Sequence, residues 1–235
     1  MKTHLKIILV SISLVLTGCP PYEKTQNETV NQDTVEIEQE LAKTLTGQDS
    51  MNYLNSLRQS GNQISVVYLS TAELVAKNGH SGGGFARTGN NITIFINKDM
   101  VLREKTHAFA HELVHVKDDF EIEIMMNSRP DVKLEVENFI KNYKTQGVNS
   151  FSGNVSGYVL NTVFCTESRA YTKNALLSKQ GYPTQLINTI NIGTDVNQKY
   201  IIQTFNQTYG SNSEPMYNWC MQFNSMSQIQ QQLIW

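Results

Sequence analysis

The chain has 235 residues, a formal net charge of −2 and 17% charged residues, a length that suits one compact domain with short appendages. Its mild acidity gives no electrostatic footprint for nucleic acid, which is recognised through basic patches. With only 3 cysteines it is not a disulfide-dense scaffold, and with only 5 histidines any histidine cluster stands out.

Lys2 and Lys6 flank the start of an apolar run, Leu5 to Leu16. That run is too short to span a bilayer as a stable helix, and it has the layout of a secretory signal. It ends in Leu16-Thr17-Gly18-Cys19, which resembles the lipobox of bacterial lipoproteins. The resemblance implies cleavage after residue 18, lipidation of Cys19 and anchoring to the membrane of a bacterial envelope. Pro20 follows Cys19 where an Asp is linked to inner-membrane retention, so in a Gram-negative source the outer membrane is expected. Residues 20 to 32 (PPYEKTQNETVNQ) are polar, begin with two prolines and read as an extended tether. The expected organisation is a signal over 1–18, lipidated Cys19 and tether over 19–32, and a single domain over 33–235. Cys165 and Cys220 then remain as an even pair in an oxidising compartment, where a disulfide between them is one of two open states.

Asp33 precedes a helical pattern running to about Thr46, with Val35, Leu41, Ala42 and Leu45 as inward positions. A second helix is expected over Ser50 to Arg58, using Met51, Leu54 and Leu57. Ile64 to Leu69 is rich in β-branched and aromatic residues and reads as a strand. The glycines from Gly79 to Gly84 lack a following Gly-Lys-Ser/Thr, so they predict a turn or rim and not a phosphate cradle. Phe85 to Arg87 and Ile92 to Asn97 flank Thr88-Gly89-Asn90-Asn91, which predicts a hairpin. Ile92, Ile94 and Ile96 share one face of it.

A helix follows from Lys98 or Asp99 to about Asp119, with Leu102, Phe109, Leu113, Val116 and Phe120 at helical spacing. Residues 121 to 127 (EIEIMMN) fit a cleft wall or core equally well. Pro130 opens another helix to about Tyr143, and a last one spans roughly Val159 to Ser178. The C-terminal third carries aromatic anchors (Tyr200, Phe205, Tyr217, Trp219, Phe223) and no readable motif.

The chemistry lies in His111-Glu112-Leu113-Val114-His115. Positions i and i+4 of a helix share a face, so both imidazoles can reach one zinc ion. Glu112 projects about 100° away from His111, where it can reach a metal-bound water. From the composition this pattern is expected by chance roughly 0.006 times in such a chain, so coincidence is a poor account of it.

A catalytic zinc takes three protein ligands and a water. His107 lies eight residues before His115, about 12 Å along a straight helix, too far for one ion to take all three histidines easily. It is expected instead to support a ligand, face substrate or be buried. The positions that would extend the motif to a third histidine hold Asp118 and Glu121, so Asp118 and Asp119 are read as supporting His115 or as a solvated helix end. Glu167 is the better third ligand. It is the only acid between Glu137 and Asp195 and falls within an apolar stripe of Leu160, Val163, Phe164, Ala170 and Tyr171. A lone carboxylate on such a face needs a cation, and the alternative to zinc is an ion pair with an Arg or Lys such as Arg169.

His111-Glu112-x-x-His115 followed by Glu167-Ser168-Arg169-Ala170 resembles the gluzincin arrangement of zinc metallopeptidases. The resemblance covers roughly residues 85 to 178. It implies an α+β, zincin-like fold: a small antiparallel or mixed sheet packed on the motif helix, then a mainly helical C-terminal part. It also implies that Glu167 is the third ligand and that a strand beside the cleft, here Ile92 to Asn97, runs antiparallel to bound peptide. Thermolysin-like members carry an Asp four residues after the third ligand, whereas this chain has Tyr171.

The expected function is hydrolysis of peptide bonds by a membrane-anchored zinc enzyme with Glu112 as general base. Tyr171, Tyr158, His107 and Arg169 are the candidates for stabilising the oxyanion. Two other readings stay open: a non-catalytic zincin-fold lipoprotein serving as a binding or assembly module, and a zinc amidase acting on cell-wall peptides.

Overall fold

A computed structural model describes residues 31–78, 82–146 and 165–182. The expected signal segment, Cys19, the expected tether up to residue 30, Tyr158, Cys220 and the C-terminal aromatics expected as anchors lie outside the described residues. The chain forms two compact units, Met1–Leu113 with Lys173–Ile192 and Val114–Thr172 with Gly193–Trp235. The fold is α+β, with a three-stranded mixed sheet and six helices among the described residues.

In the first unit, α1 (Gln32–Leu41) starts at Asn31, whose Oδ1 accepts from the Asp33 amide at 2.9 Å. Ile37 and Leu41 are fully buried, but Ala42 and Leu45 are exposed, contrary to the expected inward stripe. The helix stops at Leu41, and Thr44 caps a new one, α2 (Leu45–Gln59), through a 2.9 Å bond from the Gly47 amide to its Oγ1. Two helices in place of one reset the phase, so the i+4 pattern does not carry across the break. Leu54 and Leu57 point into the core, as expected.

β1 (Gln63–Leu69) leads into α3 (Thr71–Asn78), which the sequence reading did not anticipate. Its signal is the spacing Ser70-x-x-Glu73. Glu73 Oε2 accepts from the Ser70 amide at 2.6 Å, and Ser70 Oγ accepts from the Glu73 amide at 3.3 Å, a reciprocal capping box. β2 (Gly83–Thr88) and β3 (Asn91–Asn97) form the predicted hairpin.

The strand order is β1-β3-β2, with β1 parallel and β2 antiparallel to β3. Ile92, Ile94 and Ile96 are buried on one face of β3, and Phe95 and Asn97 are buried on the other. This corrects the expectation that Ile92 to Asn97 would offer its edge to a peptide. A central strand has both rows of backbone groups committed to its neighbours, which leaves none to pair with a ligand.

α4 (Leu102–Ser128) runs for 27 residues and carries the His-Glu-x-x-His motif. It contains no glycine or proline, so nothing interrupts its hydrogen-bond ladder before Pro130, and EIEIMMN is its last part. Phe109 and Leu113 are buried in the first unit; Val116, Met125 and Met126 are buried in the second. α5 (Pro130–Gln146) begins with proline at its first position, where the missing N–H costs nothing, and buries Val132 and Val136.

α6 (Cys165–Lys179) buries Cys165 and Ala170 in the second unit and Ala175 and Leu177 in the first. Cys165 is disulfide-bonded. The helix ends at Gly181, whose φ of 89° is a left-handed conformation suited to glycine. There the Gly181 amide donates to Ser178 O and the Tyr182 amide to Leu177 O, both at 3.2 Å.

Candidate functional site

His111, Glu112 and His115 lie on one uninterrupted helix, with the two histidines four positions apart. Both histidines are half-buried, whereas Glu112 is only 5% exposed. Within the first unit the Glu112 carboxylate reaches β2 at Gly83. A Cβ added at Gly83 would stand 3.0 Å from Glu112 Oε1 and 3.1 Å from the Phe95 carbonyl oxygen. Glycine at 83 therefore makes room for the carboxylate on the strand at the end of the described sheet order. From the sequence these glycines suggest only a turn or rim, because side-chain clearance across elements leaves no local pattern.

A second residue beside the motif was also missed. The last turns of α6 bring Asn174 to His111, with Asn174 Nδ2 3.4 Å from His111 Nδ1. Asn174 Oδ1 is buried and has no hydrogen-bond partner among the described residues. An unpaired buried acceptor costs about 1–3 kcal/mol, so an amide oxygen stranded beside an imidazole is a feature to be explained. No motif flags an asparagine 63 residues downstream of a histidine.

His107 belongs to a different cluster of the first unit. It is 4% exposed, and its Nε2 meets the Tyr182 carbonyl oxygen at 2.7 Å. The two rings stack at 5.9 Å, and the Arg103 guanidinium lies 5.1 Å over the Tyr182 ring. Burial pushes the His107 pKa below its usual value, partly offset by the hydrogen bond to Tyr182. A neutral ring whose single N–H serves Tyr182 has no proton left to offer an oxyanion. His107 thus acts as a post between α4 and the end of α6.

In the second unit, Asp118 is 3% exposed and accepts from Arg169 Nε at 2.9 Å on Oδ1 and 3.0 Å on Oδ2. Burial pushes the Asp118 carboxyl up, against the pull of Arg169 and of His115. Arg169, expected as either an oxyanion donor or a partner for Glu167, thus has its Nε on Asp118. Tyr171 is half-buried on α6. Glu167 lies on the α6 backbone, and its side chain lies outside the described residues.

Among the described residues no three His, Cys, Asp or Glu side chains are gathered as a metal-binding group. The donors present still suit zinc in kind: two half-exposed imidazoles at helical spacing, a buried carboxylate between them, and a side-chain amide beside the first ring. No described helix is long and apolar enough to cross a membrane. Comparisons with protein families, curated proteins and solved structures gave no match to this chain.

Proposed function

We propose that the chain is a zinc-dependent metallopeptidase of gluzincin type and zincin-like fold, with His111, His115 and Glu167 as metal ligands and Glu112 as general base. The observation that carries this reading is the placement of Glu112. A glutamate between two histidines on an ordinary surface helix would be solvated, whereas this one is buried against a strand whose glycine leaves space for it. Position 167 lies on helical backbone in α6, and its assignment as third ligand rests on the gluzincin resemblance.

Bound zinc would supply Lewis acidity, lowering the pKa of a water to about 7. The chain's own residues do the rest. Glu112 takes the proton of the attacking water and delivers it to the leaving amine nitrogen. Its partial enclosure limits water around the carboxylate and keeps it near one position. An extended substrate would pair along β2, the strand that Gly83 brings to the base, by main-chain hydrogen bonds. We place the mature protein at the bacterial cell envelope, anchored through lipidated Cys19. A cell-wall peptide is an alternative substrate for the same chemistry, and a binding module without turnover is the alternative function.

The test is the zinc content of the mature chain beside Glu112→Gln and Glu167→Ala variants, with turnover measured on a peptide library. One zinc per chain, kept in Glu112→Gln without turnover and lost in Glu167→Ala, is the expected result. Zinc retained without Glu167 would move the third ligand elsewhere. A chain that takes up no zinc would favour the binding module.

A further inference from the structure

We propose that Asn174 fixes the tautomer of His111, accepting its Nδ1 proton on the amide oxygen and leaving Nε2 as the bare nitrogen that ligates metal. The purpose of this arrangement rests on the zinc reading above; its chemistry does not. Two orientations of the Asn174 amide are available at the observed separation. With Nδ2 towards His111, the amide N–H must meet a bare Nδ1 at 3.4 Å, a long contact, and Oδ1 has no hydrogen-bond partner among the described residues. That orientation also puts the ring proton on Nε2 and closes the nitrogen that points away from Asn174. A half-turn of the amide exchanges two groups of nearly equal size. Oδ1 then receives the Nδ1–H, Nδ2 takes the place where Oδ1 had no partner among the described residues, and the lone pair of the ring sits on Nε2.

The asparagine is held for this task. Its neighbours Ala175 and Leu177 are buried, and the chain beyond is tied down where Tyr182 meets His107. A histidine that ligates metal commonly donates its other N–H to an oxygen, which sets both the ring orientation and the proton position. A carboxylate often has that role; here a neutral amide takes it, from the helix on which Glu167 also lies. Asn174 is thus a positioning residue, acting on the metal through His111.

The test is nitrogen-15 NMR of histidine-labelled mature protein, stripped of metal and held at a pH where the His111 ring is neutral. Wild type is expected to carry the proton on Nδ1. Asn174→Leu should move it to Nε2, and Asn174→Asp, which keeps an oxygen in place, should hold it on Nδ1. Zinc affinity read in parallel should fall about 10–100-fold in Asn174→Leu and return in Asn174→Asp. A wild-type ring protonated on Nε2 would overturn the inference whatever zinc does. So would a tautomer unchanged in Asn174→Leu. A wild-type Nδ1–H that depends on residue 174 in a chain that binds no zinc would uphold the role of Asn174 and overturn the peptidase reading instead. Should the leucine variant not fold, the wild-type spectrum still decides between the two tautomers.

Discussion

Glu112 and Gly83 are matched: the carboxylate on α4 occupies space that any side chain on β2 at that position would invade, with Oε1 3.0 Å from where a Cβ would stand. The two residues are 29 apart in the chain, and nothing in the local sequence of either requires the other.

Gly83→Ala should therefore damage the site more than the fold. The added methyl meets the end of the Glu112 side chain, which can turn aside, and the Phe95 backbone carbonyl at 3.1 Å, from which the strand must ease by a few tenths of an ångström. Gly83 lies in a strand and is not among the glycines with positive φ, so alanine brings no backbone strain. A displacement of Glu112, the proposed general base, by a few tenths of an ångström to about 1 Å should lower kcat by up to about 100-fold, with a smaller loss of thermal stability from the Phe95 contact. The check is a steady-state assay on the best substrate from the library, beside a melting curve. Unchanged kcat would mean that Glu112 does not need the space.

The elements whose signals are local were legible in the sequence. The motif helix, the hairpin and the Pro130 start follow from periodicity, turn residues and proline chemistry. Where the reading failed, the cause lay in contacts between distant segments or in overlooked capping. The break at Leu41 is set by the Thr44 cap, and α3 by the Ser70–Glu73 box. The sequence alone suggests an edge position for β3, because the parallel pairing of β1 with it is a long-range event. The motif residues stood out by type and spacing, but Asn174 and Gly83 gain their meaning only from what folds against them. Likewise the Arg169–Asp118 pair spans 51 residues.

His107 gives a pH prediction whose sign follows from its burial. Its folded pKa lies below the unfolded value of about 6.5, so the native state binds fewer protons than the unfolded one as pH falls through and below that value. Stability should therefore rise with pH up to about 6.5 and be lost progressively on acidification. His107→Gln can still donate a hydrogen bond to Tyr182 but cannot titrate. Urea midpoints from pH 5 to 7.5 should show a shallower acid limb in the variant than in wild type. His111 and His115 remain in both proteins, so the difference between the curves belongs to His107. Parallel curves would place the acid sensitivity elsewhere.

The Asp118–Arg169 pair should behave asymmetrically when broken. Asp118 is almost fully enclosed, while the Arg169 side chain is 22% exposed. Arg169→Met would leave a carboxylate buried without the charge that faces it, and loss of one partner of such a pair costs about 3–5 kcal/mol. Asp118→Asn should cost less, because a neutral amide is cheaper to bury and the arginine can turn towards solvent. In the double variant much of the Arg169→Met penalty should disappear, since no buried charge remains to be compensated. Chemical denaturation of the three variants measures this directly. If Arg169→Met proved no worse than Asp118→Asn, the pair would be a weak contact and not the fastening between α4 and α6 in the second unit.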